Sequence, residues 1–253
     1  MAESEKILQV VAQAGIGEIA ARVPGGSTAL AVVQAVFRNC TDKRAQELFA
    51  AIGERIGAED WDAAAKKLEK NIGQSWFDET IERGFRDIIE CVSSEARRCI
   101  GFLVSEYLGR QTKPDPTFRK VAWLLRESNE TALRTFSDIC GMYAELTDGA
   151  QSGLRVLVRA SRRSREPGLF WLAVHRDESS VLGRRVTEPE NLEECVRALV
   201  THRIGNYWAG LSSHTFEGEP ILRFNEADDS VFRLLGSCLR ALNQQRADVS
   251  SAS

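Results

Sequence analysis

Apolar residues recur at spacings of three and four through most of residues 7–157, as at Phe77, Ile81, Phe85, Ile88, Ile89 and Val92 and again at Ile100, Leu103, Val104, Tyr107 and Leu108. Such a period lines one side of a helix with side chains that bury together. It predicts an opening helix over 3–21 with Ile7, Val10, Val11, Ala14 and Ile19 inward, broken by Pro24, Gly25 and Gly26. A second helix follows, capped by Ser27 and carrying Leu30, Val33, Ala35, Val36 and Phe37. A third, capped by Thr41 or Asp42, carries Leu48, Phe49, Ile52 and Ile56, and a short fourth, capped by Asp60, carries Trp61, Ala64, Leu68 and Ile72. Residues 74–92 and 94–108 read as two longer helices or as one kinked element, because only Ser93 and Ser94 separate them. The run Lys113-Pro114-Asp115-Pro116 interrupts the helical pattern. Helices resume with Phe118, Val121, Leu124 and Leu125, and then, after Asn129, with Leu133, Phe136, Ile139, Cys140 and Tyr143. Leu154, Val156, Leu157 and Val158 can extend one more helix.

Beyond Pro167 the texture changes. The compact run 169–174 fits a short strand or a buried turn. Residues 188–204 form a helical pattern with Leu192, Cys195, Val196, Leu199 and Val200 on one side, and Pro220 to Phe224 is the clearest strand. A last helix carries Val231, Leu234, Leu235, Cys238 and Leu242. The expected fold is therefore mainly α: a multi-helix N-terminal domain and a smaller α-rich C-terminal region with at most a short β-hairpin. The expected divisions are a helical domain over 1–148, a basic connecting segment over 149–186, a helix-strand-helix module over 187–245 and a frayed tail over 246–253. The short connections favour antiparallel helix neighbours, and the lack of a fixed repeat disfavours a stacked superhelix.

Composition narrows the class. With 43% hydrophobic and 27% charged residues among 253, the chain has the balance of a globular protein. Glu3, Glu5 and Lys6 interrupt any leader-like apolar start, and no run approaches the roughly 18 apolar residues that span a bilayer. The expectation is a cytoplasmic chain with no stable membrane span. Six cysteines, Cys40, Cys91, Cys99, Cys140, Cys195 and Cys238, show no CxxC spacing and read as structural thiols in a reducing compartment. His175, His202 and His214 lie in separate segments and give no metal-ligand spacing.

Charge is unevenly spread. Residues 151–186 hold eight arginines against Glu166, Asp177 and Glu178, a net +5, which leaves the rest of the −3 chain at −8. Arg155, Arg159 and Arg163 are spaced i, i+4, i+8, so on a continuing helix they line one face, with Arg162 and Arg165 beside them. Guanidinium groups pair bidentately with phosphate, so this stripe and Arg184 and Arg185 fit a nucleic acid or another anionic partner; a solvated surface explains the same residues. The C-terminal order of helix, loop, strand and helix resembles a winged-helix module. That resemblance implies a recognition helix over 191–204, a wing over 207–224, and Arg197, His202 and Arg203 facing the nucleic acid.

Other chemistry is sparse. The glycines around Gly15, Gly17, Gly25 and Gly26 lack the preceding strand and the lysine of a phosphate loop, and read as a helix-breaking turn or as loose anchoring of the first two helices at a membrane or partner. Asp228 and Asp229 suit a helix start, and Ser212, Ser213 and His214 have no nucleophile elbow. Trp61, Trp76 and Trp123 fall on apolar stripes. No catalytic, cofactor-binding or metal residue is therefore assigned. The leading expectation is a non-enzymatic regulatory or assembly protein that binds a protein partner or itself. A nucleic-acid-binding regulator and a membrane-acting helical effector are the alternatives.

Overall fold

The computed structural model describes residues 43–55, 71, 73–147, 154–160, 169–174, 181–186, 191–207, 218–224 and 228–251. The expected first, second and fourth helices, and with them the glycine turn and the membrane-anchoring idea, lie outside the described residues. What is described is mainly α, with seven helices: α1 (Lys43–Arg55), α2 (Ser75–Ile89), α3 (Ser94–Arg110), α4 (Pro116–Glu127), α5 (Glu130–Thr147), α6 (Leu192–Thr201) and α7 (Asp229–Ser251). Four strands accompany them: β1 (Leu154–Ala160), β2 (Leu169–Val174), β3 (Val181–Val186) and β4 (Gly218–Phe224). Among the described residues no helix is long and apolar enough to cross a membrane. The chain forms two compact units, residues 1–129 with 241–253, and residues 130–240.

In the first unit α3 is the central element, with α1, α2 and α4 all packed against it. Its sequence explains that position. Ala96, Cys99, Ile100, Gly101, Phe102, Leu103, Val104, Ser105, Tyr107 and Leu108 are all buried, so α3 has no wide polar face, the condition of a helix enclosed by others. Two glycines let its neighbours approach. A Cβ on Gly101 would sit 2.5 Å from the Ala51 Cβ and 3.0 Å from the Leu48 carbonyl oxygen on α1, and a Cβ on Gly84 of α2 would sit 2.5 Å from Val104 Cγ2.

Capping decides the breaks. Ser93 is extended, at φ −131° and ψ 159°, and its hydroxyl accepts from the Ala96 amide, so α2 and α3 are two helices and not one kinked rod. The chain between them leaves the α2 stripe: Val92, expected inward, is 64% exposed. Pro116 opens α4 without loss of a helical hydrogen bond, and Asp115 caps it by accepting from the Phe118 amide. Tyr107 donates to the same Asp115 carboxylate at 2.6 Å and meets the Phe118 ring edge-on, fixing α4 to α3. The end of α7 also belongs to this unit. Arg246 pairs with Glu95 at 3.6 Å and Arg98 donates to Gln245 at 3.5 Å, and α7 continues to Ser251 where a frayed tail from residue 246 was expected.

The second unit overturns two expectations. Its strands form one antiparallel sheet in the order β3-β2-β1-β4, more than the expected short hairpin. Residues 154–158, expected to prolong a helix, lie in β1, paired through Leu157↔Trp171 with β2 and Leu157↔Leu222 with β4. Helix α5 packs on β2, β3 and α6. At the β4 side Phe224 meets Phe232 edge-on at 4.7 Å and Tyr143 at 6.4 Å, while Tyr143 stacks on Phe232 at 4.6 Å. This aromatic triad joins α5, β4 and α7 within the unit.

The glycine contacts give a paired test on α3. Gly101→Val should destabilise the first unit by about 1–3 kcal/mol, because the overlap falls on backbone and a short side chain that cannot swing aside. Gly109→Ala, where a Cβ meets nothing within 4 Å, should stabilise the same helix by about 0.5–1 kcal/mol. Urea denaturation followed by circular dichroism distinguishes the two signs.

Candidate functional site: arginines on the sheet

Arg155 and Arg159, expected on a continuing helix, lie in the strand β1. The spacing misled because four is an even number: positions i and i+4 share a face on a strand as they do on a helix. Arg162, Arg163 and Arg165 lie outside the described residues. Arg184 and Arg185 lie in β3. Register relates these positions. Arg184 pairs with Trp171, and Trp171 with Leu157, so Arg184 shares a sheet face with Leu157 and, by alternation along β1, with Arg155 and Arg159. On β4, Leu222 and Phe224, which are buried, pair with Leu157 and Arg155. Arg185, paired with Phe170, takes the other face together with the exposed Arg223.

The winged-helix residues are elsewhere. Arg197 and Arg203 are exposed and His202 is half-buried on α6 and its cap. Helix α6 ends in a left-handed closure: the Arg203 amide donates to the Val200 carbonyl and the Ile204 amide to that of Leu199 at 2.8 Å. Arg203 occupies the left-handed position, φ 57°, where glycine is usual. Its backbone therefore has a structural role. Gly205 follows at φ 72°, and a Cβ there would meet the Arg223 carbonyl oxygen at 2.9 Å. Asn206 then exchanges two 2.8 Å backbone hydrogen bonds with Arg223, and the buried Asp228 carboxylate accepts from the Gly205 amide at 3.2 Å. The end of α6 is thus tied to β4, at the opposite side of the sheet from β3. The described part of the expected wing, Gly218–Phe224, is the fourth strand of this sheet.

The densest charge cluster among the described residues lies elsewhere, where the apolar pattern gave no sign of it. Asp87 is fully buried in α2, with Arg83 at 3.0 Å and Arg126 of α4 at 3.3 Å; Arg126 also reaches Glu90 at 2.5 Å. Burial raises the Asp87 pKa, opposed by the two guanidinium groups. Arg126 Nε is buried without a partner, and the Arg126 carbonyl accepts from the Val92 amide at 3.1 Å. The signal was present as Thr80, Gly84 and Asp87, buried residues at helical spacing that an apolar-only pattern passes over. These groups hold the α2–α3 turn against the end of α4, and each carboxylate oxygen is committed to an arginine.

The thiols are likewise occupied by the core. Burial pushes the Cys91 and Cys195 pKa values from 9.0 up to about 12, and raises that of Cys140 further. Cys91 donates to the Asp87 carbonyl at 3.3 Å and Cys195 lies 3.9 Å from the Ala132 carbonyl. Cys40 lies outside the described residues. Trp76 and Trp123, expected in the core, are half-buried, and Trp76 donates to Gln74 at 2.6 Å. Among the described residues no three His, Cys, Asp or Glu side chains converge as metal ligands.

Comparison of the chain with protein-family models, curated proteins and solved structures gave no match.

Two outcomes follow from this electrostatics. Arg126→Ala leaves a buried carboxylate with one partner and should cost about 3 kcal/mol in urea unfolding, while Arg86→Ala, removing an exposed pair with Glu82, should change stability by less than about 1 kcal/mol. For the thiols, a folded pKa above the unfolded value means the native state binds more protons between the two. Stability should therefore fall as pH rises from about 9 toward 12, by up to about 1.4 kcal/mol per pH unit for each thiol. Cys195→Ala should flatten that alkaline slope, measured by denaturation across pH.

Proposed function

We propose that this chain is a protein-interaction module that receives an extended segment of its partner along the outer edge of β3. The carrying observation is the strand order: β3 ends the sheet, and among the described residues no strand pairs with its outer side. Such an edge presents a row of main-chain donors and acceptors, and an added strand satisfies them while alternate side chains select it. The opposite side is already engaged near Arg223 by Asn206. That asymmetry favours β3 as the docking side.

The experiment is selection of extended peptides from a random display library on the full chain, followed by hydrogen exchange with the selected peptide. The reading expects the outward-pointing amides of β3 to exchange at least about tenfold more slowly when bound. Leu182→Pro and Gly183→Pro provide the control. Successive amides of a strand point to opposite sides, so one of the two prolines removes an outward donor and should abolish binding without breaking the ladder to β2. Protection confined to other elements, with β3 unchanged, overturns the reading.

A further inference from the structure

We infer that the segment accepted by β3 carries a large aromatic residue at the position opposite Gly183; this rests on the edge-docking reading above. Gly183 is an interior residue of β3, where a glycine weakens the strand and commonly marks a bulge or the close approach of another group. A bulge is not the reason here. The pairing of β2 with β3 runs without a shift from Leu169↔Val186 to Val174↔Val181. Close approach remains, and the outer side of β3 is where a further strand comes.

Register assigns Gly183 to a face. It pairs with Leu172, Leu172 with Val156 and Val156 with Arg223, one row across all four strands. Successive residues of a strand alternate, so this row lies on the opposite face from Phe224. Phe224 is buried and meets Tyr143 of α5 and Phe232 of α7, whereas Arg223 beside it is exposed. The helices that meet Phe224 thus lie on the side of the sheet away from Gly183. On the glycine's own side the β2 positions are Phe170, Leu172 and Val174, all apolar. Residues directly opposite across a strand pair have Cβ atoms about 4.5–5.5 Å apart, and an aromatic side chain also reaches the diagonal neighbours. With no Cβ at Gly183, a ring on the incoming strand can lie across the glycine and close the gap in the row, the pairing that rescues edge glycines. An alanine is too short to do so. A second copy of β3, with the sequence Val-Leu-Gly-Arg-Arg-Val, has no aromatic residue to offer.

The test uses the full chain and a fluorescein-labelled peptide, acetyl-Ser-Thr-Val-Thr-Trp-Thr-Val-Thr-Ser-amide, whose order reads alike in either direction. Anisotropy titration should show it binding about tenfold more tightly than the same peptide with alanine at its centre, the scale of one well-placed ring. Gly183→Val supplies the missing side chain with a residue that strands favour. It should retain the circular dichroism of the parent and bring the two peptides within about twofold of each other. Gly183→Ala, the milder change, should narrow the ratio to about threefold, and it decides the matter where the valine variant loses the parent's spectrum. If both peptides bind the parent equally and an edge proline abolishes both, the docking edge stands and the aromatic inference falls. A tenfold preference that survives both Gly183 substitutions places the ring elsewhere and also overturns the inference. If the tryptophan peptide binds both proline variants as it binds the parent, both readings fall. Failure of every peptide to bind overturns both as well.

Discussion

The first unit depends on how closely its helices approach α3. Carbon atoms attract best at about 3.5–4.0 Å, and no side-chain motion relieves an overlap with a carbonyl oxygen. At Gly101 the missing Cβ lets α1 rest against the α3 backbone, and at Gly84 the same device admits Val104 from the other side. The consequence is a helix whose polar atoms must be satisfied internally or by the elements packed on it. Ser105 donates to the Phe102 carbonyl of its own helix at 2.7 Å, and Tyr107 reaches the Asp115 cap. Enclosure, small residues and local hydrogen bonding are thus one requirement seen at three positions.

The charges divide by what surrounds them. Pairs such as Lys113 with Glu79 and Arg134 with Glu130 stand in solvent, where each contributes no more than about 1 kcal/mol. Asp87 is different because desolvation raises the cost of its charge before any partner is counted. Two arginines from two helices oppose that cost, and in doing so they fix the α2–α3 turn onto α4. Arg97 with Glu47, and Arg55 with Glu106, lie between these extremes, joining α1 to α3 at its half-exposed margin.

The helices were legible because their signals are local. Asp115 with Pro116, and the stripes at Leu48 and Ile52 or Phe118 and Val121, each lie within one or two turns. Ser93 was legible only as a separator, since capping depends on backbone geometry that its identity permits but does not impose. The sheet was not legible for the opposite reason. Arg155 and Arg159 satisfy helical and strand spacing alike, and β1 is completed by β4, which follows only after β2, β3 and α6. The β-branched Val156 and Val158 carried the contrary hint. Asp87 was hidden by a pattern that counts apolar residues and ignores a buried polar one. The arginines at 184 and 185 were legible as charge but not as an edge, because strand order is a property of pairing.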